Sequence, residues 1–292
     1  MARLDSIPQM LLPVMLTLSR GNPPVKETVS LETTFDDVAL NAENVKEYAN
    51  FCGFQNSADF PATWLYLLAQ RAQIALMLNS KFPLAAPGIV HLTNSLEMLH
   101  KPDLAQPISL KTSVSIEGKA SGSLFPQFRV DMLQGGTLFA VCTSGYIAKR
   151  GGGEKSGEKP AEKSGSKQSG SASELDFSAG KDAGKIVMPD GVGWDYAKVS
   201  GDFNPIHIAG IMAKAFGLPG KLAHGWYSVS MFASVIERIK NISVKKVDVQ
   251  FQKPVLLPNT VALEYLDNGS EAIPFRITSV DKKVVHLTGS IE

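Results

Sequence analysis

Residues 196–230 read YAKVSGDFNPIHIAGIMAKAFGLPGKLAHGWYSVS, and this run decides how the chain is understood. Asp202 and His207 stand five residues apart on either side of Asn204-Pro205, and His224-Gly225 opens an apolar stretch of helical character. Proline fixes its own φ and pushes the residue before it out of the α region, so the chain bends between the two polar side chains and they can face one space. A carboxylate, an imidazole and a free helix N-terminus are the parts needed to hold a water, move its proton and stabilise charge developing on an oxygen. The same types can also close a buried turn or ligate a metal. Asp202, His207 and His224 are all ligand types, but no His-Glu-x-x-His or Cys-x-x-Cys spacing accompanies them, so neither metal nor cofactor is expected.

Working outward, Val229, Phe232, Ile236 and Ile239 recur at spacings of three, four and three, which defines one buried helix face. From 247 to 252 every second residue is apolar, the period of a half-buried strand, and further strands are expected over 260–266, 273–279 and 283–291. The earlier part of the chain repeats this order, with an apolar helix over 63–78 and strands over 88–99, 108–116, 124–133 and 137–148. Residues 48–56 align with 196–204 at an offset of 148 (196 minus 48), and 99–102 with 251–254 at 152 (253 minus 101). Two matches in the same order at similar offsets indicate a duplicated unit. In the first copy Phe54 falls at the position of Asp202 and Asp59 at that of His207, so that copy has lost the paired groups. A helix followed by a run of strands implies an antiparallel sheet with helices on one side, an α+β architecture.

Between the copies, 151–173 (GGGEKSGEKPAEKSGSKQSGSAS) holds no apolar side chain larger than alanine or proline. Such a segment cannot bury enough surface to offset its ordering entropy and is expected to be a flexible tether. With 44% hydrophobic and 20% charged residues and a formal net charge of +1, the chain lacks the basic field of a general nucleic-acid binder. Cys52 and Cys142 lie outside any ligand or redox spacing, and packed thiols in a reducing cytoplasm are the simplest reading. Residues 9–18, QMLLPVMLTL, are interrupted by Pro13 and are too short to span a bilayer, so an N-terminal helix or arm packed on the domain is expected, with no membrane partner. His91, His100 and His286 lie in strand-like segments without a partner motif and are expected to be structural, and Tyr48 and Tyr196 to pack or hydrogen-bond at equivalent positions.

SGDFNPIH followed by LAHG resembles the signature of the MaoC-like hydratases and dehydratases, also called (R)-specific enoyl-CoA hydratases, whose fold is the hotdog. Gly201, Asp202, Asn204, Pro205 and His207 match in order and spacing. The resemblance implies that Asp202 and His207 hold the reacting water, that Asn204 supports the turn and that the Gly225 amide faces the thioester oxygen, with Asn204, His224 and Lys253 as substrate-binding candidates. Over both halves the chain is similar to the two-hotdog bacterial 3-hydroxyacyl-thioester dehydratases. That likeness implies a silent, acyl-chain-binding hotdog at 1–150, a linker at 151–173 and a catalytic hotdog at 174–292. The substrate implied is an acyl-CoA or acyl-carrier thioester of fatty-acid metabolism, hydrated at a trans-2-enoyl bond to the (R)-3-hydroxyacyl product. The two hotdogs would pair within one chain, and a homodimer of whole chains is compatible with this. One departure concerns length: 53 to 64 spans 11 positions and 201 to 226 spans 25, so if Trp64 and Trp226 correspond the first copy lacks 14 residues of overhang (25 minus 11). Two other classes stand beside this one. A hotdog thioesterase usually carries a carboxylate on its central helix, and neither 225–236 nor 63–78 contains one; a protein that binds acyl thioesters without turnover would not need Asp202 and His207.

Overall fold

In the computed structural model, residues 4–20, 27–55, 60–87, 89–118, 123–148 and 175–292 are described. The first half runs α1 (Ile7–Leu16), β1 (Val29–Val38), α2 (Ala42–Cys52), α3 (Leu65–Met77), β2 (Val90–Met98), β3 (Ile108–Gly118), β4 (Leu124–Gln134) and β5 (Thr137–Ile147). The second runs β6 (Lys181–Met188), α4 (Val192–Ser200), α5 (Pro205–Ile208), α6 (Gly210–Ala215), α7 (Gly225–Lys240), β7 (Lys246–Phe251), β8 (Asn259–Tyr265), β9 (Ile273–Ser279) and β10 (Val285–Ile291). All ten strands join one sheet in the order β1-β3-β4-β5-β2-β7-β10-β9-β8-β6. The second five repeat the first five in reverse, and every pairing is antiparallel.

The seam between the halves carries a pseudo-twofold axis. Ser95 pairs with Asp248 and Leu96 with Val247 across β2 and β7. Adding the offset of 152 to 95 gives 247 and subtracting it from 248 gives 96, so the axis exchanges these two pairs. The aligned helices end alike: Gly53 closes α2 and Gly201 closes α4, both left-handed, at φ of 80° and 76°. Tyr48 and Tyr196 are enclosed at equivalent points with ring centroids 6.4 Å apart.

Each half wraps its sheet around one buried helix. On α7, Val229, Phe232 and Ile236 are fully buried, and Phe232 stacks on Phe275 of β9 with centroids 4.1 Å apart. Removing a side chain of this size from water contributes roughly 1.5–3 kcal/mol. Ile239 departs from the expected face: it is 44% exposed, because it lies in the last turn, beyond the sheet, just before the left-handed Asn241 that ends the helix. The strands β1 and β6 and the helices α2, α4, α5 and α6 are additions to the elements expected from periodicity. The N-terminal arm is helical as expected. Arg71 of α3 donates to the carbonyls of Leu4 and Asp5, and Arg20 donates to those of Met77, Leu78 and Phe82 at the end of α3, which straps α1 along that helix. Both cysteines are buried thiols whose pKa burial raises, Cys142 to about 11. The tether at 151–173, together with Asp59 and Gly88, lies outside the described residues. Among the described residues no helix is long and apolar enough to cross a membrane.

Candidate active site

Four local features build the turn that holds Asp202. Gly201 ends α4 in the left-handed conformation, and the Asp202 N–H donates to Ser200 Oγ (3.1 Å). Asp202 Oδ1 accepts the N–H of Asn204 (3.2 Å), and Asn204 Oδ1 accepts the N–H of Ile206 (3.3 Å), capping α5 with Pro205 in its first turn. Asn204 is exposed and its side chain works within the turn. His207, one turn further on, donates from Nδ1 to the carbonyl of Leu222 (2.8 Å). Helix α4 comes so close to this segment that a Cβ on Gly193 would collide with the His207 carbonyl oxygen. That glycine is a requirement of the site which spacing alone does not reveal.

His224 sits at the N-cap of α7 and is buried. Its Nε2 donates to the backbone carbonyl of Asp202 (3.0 Å) and lies 3.9 Å from Asp202 Oδ2, while its ring stacks on His207 with centroids 3.8 Å apart. The structure therefore brings Asp202, His207 and His224 together, with their nearest donor atoms within 4.8 Å of one another. These are also the residues that could hold a cation. However, Nδ1 of His207 and Nε2 of His224 are each committed to a backbone carbonyl and the rings stack face to face, an arrangement that suits proton transfer better than convergence on one ion.

The electrostatics follow from enclosure. Burial holds His224 down to about 3, with the neighbouring His207 adding to the effect and Asp202 opposing it. Burial likewise lowers His207 against the pull of Asp202 and of the Leu222 carbonyl, although part of the ring still reaches the surface. For Asp202 burial opposes ionisation, but the imidazoles of His224 and His207, the Gln70 amide and the Asn204 N–H outweigh it and hold the carboxyl below its ordinary range. At neutral pH the cluster is one carboxylate beside two neutral imidazoles.

Gly225 is the first residue of α7, where the N–H has no intrahelical acceptor and the helix dipole favours negative charge. Its lack of a side chain has a reason in this fold beyond ligand approach, since a Cβ would lie 2.7 Å from Cε1 of Phe251 at the end of β7. Lys253 is exposed beyond β7, its backbone tied to His286 by bonds of 3.1 Å in each direction, and no contact brings it to Asp202 or His207. His286 is structural in this sense, and His91 is packed against the rings of Tyr146 and Phe251. A surface hollow of about 450 Å³ lies elsewhere, on β1, β3, β4 and β5, among Ser30, Glu32, Ser113, Gln127 and Arg129.

One participant comes from the other half. Gln70 of α3 donates from Nε2 to Asp202 Oδ2 (2.8 Å) across 132 residues of sequence. Its only signal in the sequence is a glutamine beside Arg71 and Gln73 in a mostly apolar helix, and nothing there says what it faces.

Two hotdogs fused into one sheet, with a carboxylate and imidazole cluster on one of them, define a double-hotdog protein. Residues 190–289, the part that carries the cluster, match the family described as MaoC like domain. The chain is 24% identical to 3-hydroxyacyl-thioester dehydratase X of Mycobacterium tuberculosis over 275 residues, 92% of this chain and 91% of that protein. The crystal structure of HtdX from that organism superposes with a TM-score of 0.69 at 22% identity, covering 89% of this chain and 99% of the other. A MaoC-like dehydratase from Phytophthora capsici superposes with a TM-score of 0.65 at 18% identity, covering 91% and 94%.

Proposed function

We propose that this protein is a hydro-lyase of fatty-acid metabolism that adds water reversibly to trans-2-enoyl thioesters. The observation that carries the reading is the state of the cluster: a carboxylate whose two oxygens already accept hydrogen bonds, beside a neutral imidazole whose Nε2 has no bond among the described residues. Water held between Asp202 and His207 attacks C3. Its oxygen bonds to C3, its proton passes to His207 Nε2, and the electron pair of the double bond moves toward the thioester oxygen. The first-turn donors of α7, with Gly225 foremost, stabilise the charge on that oxygen. The same proton then returns from His207 to C2, so one molecule of water is added overall; dehydration runs through the same steps in reverse. Asp202, held ionised, orients the water and the imidazole, and His224 fixes the turn through the Asp202 carbonyl.

The family resemblance implies the (R)-3-hydroxyacyl thioester as product, carried on coenzyme A or an acyl carrier, and the free thiols of Cys52 and Cys142 support a reducing cytoplasm. The first half is read as the silent partner that receives the acyl chain, with Lys253 meeting a carrier phosphate. Hydrolysis finds no support in α7, where the first acid is Glu237, whose Oε1 accepts the Val244 N–H at 2.8 Å. Asp202→Asn and His207→Ala should each lower hydration of crotonyl-CoA by ~10² to 10⁴, the range for a positioned acid or base, with Phe54→Ala free of that loss. Near wild-type turnover in a folded Asp202→Asn protein would remove this function.

A further inference from the structure

The half without a carboxylate and imidazole pair still reaches the site. On α3, Tyr66 and Gln70 are one helical turn apart and share a face. Tyr66 stacks on Trp226 of α7 with centroids 4.2 Å apart, and Trp226 Nε1 donates to the Thr63 carbonyl (2.9 Å), so the start of α3 is locked to the start of α7. Three residues past Gln70, Gln73 is fully buried; it donates to Ser144 Oγ (2.9 Å) and accepts from Tyr146 (2.7 Å), which fixes the rotation of α3. Between these two anchors the Gln70 amide has little freedom, and it meets Asp202 Oδ2 at 2.8 Å.

The pseudo-twofold axis supplies an internal control. The two central helices begin at Leu65 and Gly225, an offset of 160 (225 minus 65), so Gln70 maps to Ser230 (70 plus 160), while Asp202 maps to Phe54 (202 minus 148). In the mirror position the acceptor is replaced by the buried Phe54, and the Ser230 hydroxyl is bonded instead to Tyr48 (2.5 Å) and to the Trp226 carbonyl (2.8 Å). The amide is present where the carboxylate is present and absent where it is absent, as a functional pair requires and a packing residue does not.

We propose that Gln70, supplied by the first hotdog, is a positioning residue that fixes the Asp202 carboxylate for proton transfer, so that the active site is assembled from both halves. This rests on the proposed hydro-lyase function. Its amide N–H orients Oδ2, leaves the rest of the carboxylate to the water and favours the ionised form.

The test uses the full chain with Gln70→Met, which keeps the shape and removes the donor, and Gln70→Glu, which adds a competing carboxylate, with crotonyl-CoA as probe and Asp202→Asn in parallel. Both Gln70 variants should melt near wild type. Gln70→Met should lower kcat/KM about tenfold and move the acid limb of its pH profile upward, and Gln70→Glu should move it further. Carbon NMR of the substrate-free protein should show the Asp202 carboxyl titrating at higher pH in Gln70→Met, a readout independent of turnover. An unmoved Asp202 titration with an unmoved acid limb in both variants overturns the assignment, even if kcat falls. The two ideas fail separately: an active Asp202→Asn sinks the hydro-lyase reading, whereas an inactive Asp202→Asn beside unaltered Gln70 variants sinks only this inference.

Discussion

Substituting Gly225 by alanine tests whether the start of α7 takes part in the chemistry. The added Cβ would stand 2.7 Å from Phe251 Cε1, 3.0 Å from Cδ1 and 3.4 Å from Cζ. Carbon atoms prefer separations of about 3.5–4.0 Å, so ring and helix must part by roughly 1 Å. The ring cannot simply retreat, since His91 packs on it with centroids 4.9 Å apart and is itself stacked on Tyr146 at 4.6 Å. Overpacking of this kind costs about 1–3 kcal/mol of stability. A displacement of about 1 Å in a group aligned with the reacting atoms costs on the order of 10²-fold in rate. Gly225→Ala should therefore stay folded with a lowered melting point and lose about 10²-fold in kcat for crotonyl-CoA, followed as loss of the enoyl absorbance. Phe251→Leu removes the atoms in the way, so the double variant should recover at least about tenfold over Gly225→Ala. A Gly225→Ala protein within twofold of wild type would mean that the amide at this position does not face the reacting oxygen. Additive losses in the double variant would clear Phe251 as the constraint.

Three further outcomes are expected. His91 is held down from 6.5 to about 4 by burial, so below pH 6.5 the unfolded chain takes up its proton while the folded chain does not. Its share of stability is present above that pH and is lost at about 1.4 kcal/mol per pH unit as pH falls toward 4, and His91→Phe should flatten the dependence of the urea midpoint on pH by that amount; equal slopes would contradict the assignment. Arg20→Ala removes the bonds to the Met77, Leu78 and Phe82 carbonyls and should cost about 1–2 kcal/mol, since the guanidinium is partly exposed, lowering the thermal midpoint by a few degrees. An unchanged midpoint would show that the strap contributes nothing. If the first half receives the acyl chain, kcat/KM should rise from four-carbon to longer enoyl-CoAs, each buried methylene adding ~0.8 kcal/mol; an enzyme fastest on the four-carbon substrate would refute that role.

Much of the fold was legible because its inner strands and central helices carry strong periods. The strands over 273–279 and 108–118 and the helix over 65–77 stand close to their expected places, since both faces or one full stripe of each are buried. The edge strands were not legible. In β6 only Ile186 and Met188 are buried, and its first five residues, Lys-Asp-Ala-Gly-Lys, look like a loop. The turn from Gly201 to His207 was legible because the bonds that shape it, Asp202 N–H to Ser200, Asn204 N–H to Asp202 and Ile206 N–H to Asn204, each span two residues. Gln70 was not, because a hydrogen bond across 132 residues leaves no mark in local spacing. Nor was the reason for Gly225, which lies in Phe251 on a different element.

The duplication constrains how the two halves could diverge. Equivalent sites on the axis share one interior, in which Tyr48 hydrogen-bonds Ser230 (2.5 Å) and Phe51 meets both Tyr196 (6.1 Å) and Tyr227 (5.7 Å). A carboxylate at position 54 would be buried there and would need a donor from α7, where the counterpart of Gln70 is Ser230, whose hydroxyl is already bonded to Tyr48 and to the Trp226 carbonyl. Burying an ionised group without such a partner costs several kcal/mol, and Phe54 avoids that cost. In the second half, the imidazoles of His224 and His207, the Gln70 amide and the Asn204 N–H together keep Asp202 ionised against burial. If Gln70 positions Asp202 as proposed, the first half is part of the active site as well as of the sheet, and a chain cut between the halves would leave Asp202 without one of its donors.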